Sequence, residues 1–330
     1  EVINRNTIFE SRDDEDSDSP SELFSSFTVP KKTSRIRIGL LFSTVTQPEE
    51  HVMVIHKFEV CQHHELTELV DKAYVLNLKS ESEKLAHCNW QAHRLGWELF
   101  PWSAVDGNSG EPNSDWLEYM DSPWSDYDKL LGRKAIDKPG AWGYLLSMKG
   151  IFKDAIAKEY RAIAVFDDDF VLSSSFDHRF SKLMEFIGDD WKVIYLGASQ
   201  WRWDEVEVES NPFYRPDENT NGTFSVVYHH SIFEEILAEI EKMDAPFDAG
   251  ALRRVVLGSG SDESFVASPS LSIAKLEKTG IRESRNQVEF SKRFGWNLND
   301  FPPWFNQWEP NPVLLRDEGS VQGHPHKLHF

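Results

Sequence analysis

Three consecutive carboxylates interrupt an apolar stretch near the middle of the chain. Residues 162–166 are apolar, Asp167, Asp168 and Asp169 follow directly, and residues 170–172 are apolar again. In extended backbone successive side chains point to opposite faces, so Asp167 and Asp169 are expected on one side and Asp168 on the other. Two carboxylates held this close repel each other, and burying them is costly unless a cation lies between them.

A hard divalent ion is the natural cation for such a pair. Mg²⁺ and Mn²⁺ take oxygen ligands and leave coordination positions for the phosphates of a substrate. The spacing therefore predicts that Asp167 and Asp169 hold a metal ion together with a diphosphate. The alternative is a solvated acidic turn at the end of a strand, because short acidic triplets are common in sequences of every kind.

Strands and helices alternate on both sides of this acidic segment. Strands are predicted at 73–78, 97–104, 162–172, 192–196 and 223–227, and helices at 82–95, 142–159, 181–187 and 231–242. This order predicts an α/β fold with a doubly wound, mainly parallel sheet flanked by helices and a site at the carboxyl ends of the strands. The acidic segment lies at such an end. Residues 108–139, rich in tryptophan and proline, are predicted to be irregular.

Composition divides the chain into four regions. Residues 1–33 are polar and acidic and are predicted to form a disordered arm, because they cannot bury enough apolar surface to offset chain entropy. Residues 34–71 are an N-terminal extension or a leading strand. The main α/β domain is predicted over 72–312, and a C-terminal tail over 313–330.

The charge balance and apolar patterning exclude several classes of protein. The chain has 55 acidic against 35 basic side chains, for a formal net charge of -20, which disfavours nucleic-acid binding. It contains no run of the ~18 apolar residues that a membrane span needs. It also shows no secretory signal, so a cytoplasmic location is expected unless a targeting segment has been removed ahead of Glu1.

Several short motifs, taken in order, resemble those of glycosyltransferase family 25, which contains lipopolysaccharide sugar transferases and collagen galactosyltransferases. The resemblance covers about residues 72–298. Six segments carry it, namely Tyr74–Leu78, Ala104–Gly107, Gly140–Ser147, Phe166–Asp169, Tyr195–Gly197 and Thr279–Arg282. The chain departs from the family pattern at Asp167, where Glu is common, at Met148, where His is usual, and at Lys84, where Arg is usual.

The resemblance implies a GT-A type fold and a specific chemistry. It implies a nucleotide-sugar donor, typically a UDP-hexose such as galactose or glucose, held with Mn²⁺ or Mg²⁺. It further implies transfer, with inversion at the anomeric carbon, to a hydroxyl of a glycan or glycosylated acceptor. Asp248 matches a Pro-x-Asp segment of the family and is nominated as the general base or as an acceptor ligand, with Asp262 and Glu263 the next candidates for the base. Its alternative role is a helix N-cap.

Seven further residues are predicted to bind the donor. They are Asn77, Lys84, Gly140, Gly143, Ser147, Arg282 and Arg285. Gly140 and Gly143 open a helix whose free N–H groups could meet a diphosphate, or they permit close packing of that helix. Arg282 and Arg285 could grip phosphate, or they could form ion pairs with Glu277 or Glu283.

Two other functions stay open at this level. A glycan- or nucleotide-binding module could keep the same fold without turnover, and the Met148 departure motivates that alternative. Metal-dependent phosphoester hydrolysis also uses clustered aspartates, but it needs a second, denser set of ligands that the sequence does not offer.

Overall fold

The computed structural model of the protein describes the predicted α/β domain but not the two ends of the chain. The predicted arm at 1–33 and the predicted tail at 313–330 lie outside the described residues, as do residues 34–64 of the predicted extension. The residues that the structure describes are 65–204, 206, 211–279 and 281–302.

Helices and strands alternate along the described chain. The α-helices are α1 Leu66–Leu69, α2 Ser82–Arg94, α3 Gly110–Asp121, α4 Asp126–Leu131, α5 Pro139–Ala157, α6 Phe176–Ile187, α7 Phe233–Ile240, α8 Ala251–Leu257 and α9 Gln287–Phe294. The strands are β1 Lys72–Asn77, β2 Phe100–Ser103, β3 Ala162–Asp167, β4 Phe170–Leu172, β5 Val193–Tyr195, β6 Ser199–Gln200, β7 Phe213–Tyr214, β8 Thr220–Asn221, β9 Ser225–His229, β10 Ser264–Ala267 and β11 Ser272–Ala274.

Seven of these strands form the central sheet, in the order β2-β1-β3-β9-β5-β10-β7. Strand β1 pairs in parallel with β2 and β3, and β5 pairs in parallel with β10. Strand β9 runs antiparallel between β3 and β5, and β7 is an antiparallel edge strand beside β10. Five of the seven strands therefore run in one direction, which confirms the predicted mainly parallel sheet.

Helices cover both faces of the sheet, because the side chains of each strand alternate between two apolar cores. In β3, Ile163 and Val165 pack with α5, α7 and α8, whereas Ala164 and Phe166 pack on the opposite face with α2 and α6. This arrangement confirms the doubly wound prediction. By the same alternation Asp167, which follows Phe166, faces α5.

Helix α5 brings its N-terminus to the carboxyl edge of the sheet because it leads directly into β3. Its buried side chains recur at helical spacing and fasten the helix along one face of the sheet. They include Leu145, Met148, Ile151, Phe152 and Ala155. The start of α5 thus lies beside the last residue of β3.

The prediction of irregular chain over 108–139 is wrong. Helix α4 begins at a capping box, in which the Ser125 side chain and the Asp128 side chain accept from each other's backbone N–H, and it ends at Gly132 with a left-handed backbone. Helix α3 has no side-chain cap and no fully buried residue. It was missed because Gly110 and Pro112 at its start are typical of turns.

The prediction of one continuous strand over 162–172 is also wrong. Strand β3 ends at Asp167, residues 168–169 form a turn, and β4 pairs with β11 in a separate two-stranded sheet. The apolar residues 170–172 resemble a continuation of β3 because they are also buried, although they belong to a different sheet. No helix in the described residues is long and apolar enough to cross a membrane.

Gly143 provides a test of how α5 is seated. A Cβ atom there would lie 2.3 Å from the carbonyl oxygen of Val105 and 2.6 Å from the backbone nitrogen of Gly107. Helix propensity alone predicts that Gly143→Ala stabilises the protein by about 1 kcal/mol. We instead expect destabilisation of about 1–3 kcal/mol, because backbone on both sides must move. Denaturant unfolding measures the sign, with Glu118→Ala on the exposed face of α3 as the control. A stabilised Gly143→Ala protein would contradict the packing described here.

Candidate active site

Asp167 ends β3 and is enclosed by side chains and backbone. The Tyr144 hydroxyl donates to Oδ1 of Asp167 at 3.0 Å and lies 2.8 Å from Oγ1 of Thr223. The backbone N–H of Asp167 donates to the carbonyl oxygen of Phe224 at 3.0 Å. Burial, followed by the negative charge of Asp169, raises the pKa of Asp167 well above its usual range. The charged form of Asp167 is therefore disfavoured until a cation approaches.

Asp168 points the other way, toward helix α2. The Asn77 Nδ2 atom donates to Oδ2 of Asp168 at 2.9 Å, and Nζ of Lys84 lies 3.8 Å from Oδ1. The Cys88 thiol donates to the Asp168 carbonyl oxygen at 3.3 Å. Burial raises the pKa of Asp168 to about 6, and the Lys84 charge opposes that rise. Asp168 thus connects the turn to α2. This helix lies on the face of the sheet opposite Tyr144, which is the partner of Asp167.

Asp169 is buried beside an arginine. Nη2 of Arg282 donates to Oδ2 of Asp169 at 2.6 Å and to the carbonyl oxygen of Lys275 at 2.8 Å. The backbone N–H of Lys275 donates to the Asp169 carbonyl oxygen at 2.8 Å. Burial raises the pKa of Asp169 even though Arg282 lowers it. The charges of Arg282 and Lys84 therefore leave this carboxylate in an environment that still favours further cationic charge.

Asp167 and Asp169 suit a divalent cation by their chemistry. Both offer carboxylate oxygens, both have raised pKa values, and Asp169 is the strongest neighbouring charge acting on Asp167. Among the described residues, no group of three or more His, Cys, Asp or Glu side chains is arranged to hold a metal ion. The protein would supply two ligands here, and donor phosphates and water would fill the remaining positions. The hydrolase alternative, which needs a denser cluster, finds no support in this part of the chain.

Two of the three predicted basic residues contact the acidic turn, and the third lies near one of them. Lys84 contacts Asp168, and Arg282 contacts Asp169. Arg285 is exposed, and its guanidinium lies 4.9 Å from the ring centroid of Phe290. Burial and then the positive charges of Arg282 and Arg293 lower the pKa of Arg285, so the three guanidinium groups lie in one region.

The predicted alternative for the arginines, ion pairs with Glu277 or Glu283, does not describe Arg282. Glu277 pairs with Lys275 at 2.8 Å, and Glu283 pairs with Lys278 at 3.3 Å. Arg282 instead pairs with Asp169. The donor-binding roles of Lys84, Arg282 and Arg285 stay predictions.

The helix-start residues have packing contacts. Ser147 is 1% exposed, accepts from the backbone N–H of Val105 at 2.8 Å and donates to the Gly143 carbonyl oxygen at 2.7 Å. Gly143 allows the backbone contact with Val105 and Gly107 described above. Gly140 lies half-buried in the first turn of α5. For Gly143 the structure shows the packing alternative, and Ser147 bonds the same region of backbone. The donor-binding roles of Gly140, Gly143 and Ser147 stay predictions.

Asp248 lies on the same edge of the sheet as the acidic turn. Its Oδ1 accepts from the backbone N–H of Ala249 at 2.9 Å, and its Oδ2 accepts from that of Gly222 at 3.3 Å. After burial and Tyr195, the charges of Asp167 and Asp248 both raise the pKa of Tyr228. The N-cap alternative is wrong, because helix α8 begins after Gly250 and has no side-chain cap.

The fallback carboxylates lie elsewhere. Asp262 and Glu263 belong to a single 3₁₀ turn, Ser261–Glu263, that leads into β10. Because β10 runs parallel to β5, this turn is at the amino edge of the sheet, opposite the acidic turn. Glu263 pairs there with Lys192. Neither residue is placed to serve as an alternative base.

Sequence reasoning missed three residues at the acidic turn. Tyr144 donates to Asp167, Thr223 bonds Tyr144 in turn, and the backbone N–H of Lys275 donates to the carbonyl oxygen of Asp169. Tyr144 lies within an apolar helix and next to a motif glycine, where a tyrosine is indistinguishable from ordinary core. The strand alternation that directs Asp167 toward α5 is the one signal that would have pointed to it.

A family model described as glycosyltransferase family 25 (LPS biosynthesis protein) matches residues 70–241, just over half of the chain. The chain belongs to glycosyltransferase family 25. The matched range contains β1, the helix start at Gly140 and the acidic turn, so the segments that carried the resemblance up to Gly197 lie inside it. This protein is a glycosyltransferase, and no curated protein matches it.

Two solved structures are similar to this family 25 chain at low identity. One is a glycosyltransferase involved in the glycosylation of the major capsid of PBCV-1, with 9% identity, a TM-score of 0.33, and coverage of 68% of this chain and 98% of that chain. The other is mannose-1-phosphate geranyltransferase from Thermus thermophilus, with 11% identity, a TM-score of 0.28, and coverage of 59% and 73%. At these scores neither similarity bears on the reaction of this glycosyltransferase.

Asp169→Asn tests the predicted metal ligand. The amide keeps the size of the side chain and one acceptor for Arg282 but removes the charge that a hard cation prefers. We expect the gain in UDP affinity that Mn²⁺ provides to fall by at least about tenfold, or about 1.4 kcal/mol. Calorimetric titration of UDP with and without Mn²⁺ measures this gain.

The matched control is Asp137→Asn, which removes an exposed carboxylate paired with Arg133 at 2.7 Å. Thermal unfolding of both variants separates a metal effect from a loss of folded protein. An undiminished Mn²⁺-dependent gain in folded Asp169→Asn would show that Asp169 is not a ligand.

Proposed function

We propose that this family 25 enzyme is a metal-dependent, inverting hexosyltransferase. It moves a hexose, galactose or glucose, from a UDP-sugar to a hydroxyl of a glycan or glycosylated acceptor. The observation that carries the proposal is the pair of carboxylates at the carboxyl edge of a mainly parallel sheet, Asp167 half-buried and Asp169 buried. The donor class and the stereochemistry rest on the family resemblance.

The groups around the acidic turn suit a diphosphate. Arg282 is 2.6 Å from Asp169, and its charge lowers the pKa of the exposed Arg285. Lys84 lies on the other side of the turn, beside Asp168. These three cations do not offset the cost of burying the carboxylates, because the pKa values of all three aspartates remain raised. An anionic donor that arrives with a divalent ion would meet complementary charge on both components.

The side chains at and around the acidic turn have distinct roles in the proposed reaction. Asp167 and Asp169 would hold the ion, which supplies charge stabilisation for the departing diphosphate. Arg282 and Arg285 bind and orient the phosphate oxygens. Asn77 and Lys84 fix Asp168, so that the turn keeps its shape when the donor binds.

In the proposed reaction Asp248 acts as the general base. In an inverting transfer, the acceptor oxygen forms a bond to the anomeric carbon while the bond from that carbon to the diphosphate oxygen breaks. The acceptor hydroxyl proton passes to a carboxylate on the face opposite the leaving group. Asp248 lies on the same edge as the acidic turn but on a separate loop. Each of its oxygens accepts one backbone N–H and keeps a further lone pair for the acceptor hydroxyl.

A panel of nucleotide sugars tests this function directly. We expect one UDP-hexose to bind in a Mn²⁺-dependent manner and to be hydrolysed slowly in the absence of acceptor. With an acceptor, an α-linked donor should give a β-linked product, as read from proton NMR of the anomeric signal. Retention of the α configuration would overturn the inverting mechanism. Equal binding and turnover in the presence of EDTA would overturn metal dependence.

Asp248→Asn tests the base. We expect sugar transfer to fall by ~10²-fold or more, because general-base catalysis typically contributes that much. UDP affinity should hardly change, since the acidic turn and its cations are intact. The matched control is Asp262→Asn, which removes a carboxylate at the opposite edge of the sheet. Near-normal transfer by folded Asp248→Asn would eliminate Asp248 from the mechanism.

A further inference from the structure

A chain of hydrogen bonds reaches Asp167 from outside the acidic turn. The Tyr144 hydroxyl donates to Oδ1 of Asp167 at 3.0 Å and lies 2.8 Å from Oγ1 of Thr223. A phenol has one hydroxyl hydrogen, and here it goes to Asp167. When Asp167 is ionised, which is the form that binds a cation, Tyr144 therefore accepts from Thr223, and the chain runs in one direction, from Thr223 through Tyr144 to the carboxylate.

The members of this chain are held by the fold. Tyr144 belongs to α5, and its ring packs beside that of Phe247 with centroids 6.1 Å apart. Thr223 is 7% exposed and precedes Phe224, whose carbonyl oxygen accepts the backbone N–H of Asp167. Tyr144 and its own partner Thr223 are thus both tied to segments that contact the end of β3. Neither can move away from Asp167 without disturbing a backbone hydrogen bond or a ring contact.

We propose that Tyr144 is a positioning residue of the donor-metal site, and that Thr223 in turn orients Tyr144. By occupying Oδ1 of Asp167, the phenol fixes the rotation of the carboxylate and leaves Oδ2 for the ion. Outer partners of metal-binding carboxylates commonly fix their orientation in this way. This inference rests on the proposed function, because it treats Asp167 as a metal ligand.

A second tyrosine provides an internal comparison. Tyr74 donates to Asp154, at the far end of the same helix α5. Asp154 also lies 3.5 Å from Lys158, so it is already paired with a surface cation. The Tyr74 contact joins β1 to α5 away from the acidic turn. Tyr74→Phe removes a phenol-to-aspartate hydrogen bond of the same kind without touching the donor site.

Tyr144→Phe tests the inference in the full chain. UDP affinity is measured by calorimetry over a series of Mn²⁺ concentrations, and thermal unfolding is recorded on the same samples. We expect UDP affinity without metal to be unchanged. The Mn²⁺-dependent gain should fall by about 10- to 100-fold, which is typical when the outer partner of a ligand is lost. Tyr74→Phe should retain the full gain.

Thr223 gives a second pair of variants that does not depend on the tyrosine. Thr223→Val removes the hydroxyl and should reduce the Mn²⁺-dependent gain in the same direction, by less than Tyr144→Phe. Thr223→Ser keeps the hydroxyl and should retain the full Mn²⁺-dependent gain in UDP affinity. This pair decides the matter if Tyr144→Phe does not fold.

The outcomes separate the two proposals. If the wild-type protein shows no Mn²⁺-dependent gain, the proposed metal site fails, and the role of Tyr144 fails with it. If the wild type shows the gain and Tyr144→Phe or Thr223→Val keeps it in full, the metal site stands and the positioning role is overturned. A loss of equal size in Tyr74→Phe would also overturn it, since the effect would then belong to the seating of α5.

Discussion

The cost of placing three adjacent carboxylates in a largely buried turn is the constraint on which the carboxyl edge of the sheet depends. Each carboxylate is satisfied by a different element. Tyr144 of α5 donates to Asp167, Asn77 at the end of β1 donates to Asp168, and Arg282 ahead of α9 donates to Asp169. Asp168 is thereby directed away from Asp167, and burial still raises the pKa of each of the three. The proposed divalent ion would supply the positive charge that these carboxylates still lack.

The rest of the fold can be understood as the support for this turn. Alternation along β3 sends Asp167 toward α5 and places Phe166 in the opposite core. Gly143 lets α5 approach the backbone at Val105 and Gly107. Ser147 then stabilises that contact, because its hydroxyl accepts from the backbone N–H of Val105 and donates to the carbonyl oxygen of Gly143. Close packing at the helix start therefore determines where the Tyr144 hydroxyl lies relative to the end of β3.

Local sequence pattern predicted the parts of this arrangement that depend on local physics. Apolar periodicity predicted α2 and α5 closely, and alternation predicted that Asp168 points away from Asp167. The same reasoning could not find contacts between distant segments. Arg282 and Asp169 are 113 residues apart, Asn77 and Asp168 are 91 apart, and Tyr144 and Thr223 are 79 apart. No periodic pattern encodes which of many polar residues meets a given carboxylate, so these pairings appear only in the folded chain.

Membership in glycosyltransferase family 25 identifies the protein as a sugar transferase, and the geometry of the acidic turn supports a metal-held donor. The most direct measurement is anomalous diffraction at the manganese edge, from crystals grown with Mn²⁺ and UDP. We expect a single strong peak bonded to oxygens of Asp167 and Asp169 and to the UDP diphosphate, with Asp168 still turned toward Asn77. UDP bound at the turn with no manganese peak between those two carboxylates, or a peak coordinated by other residues, would contradict this expectation.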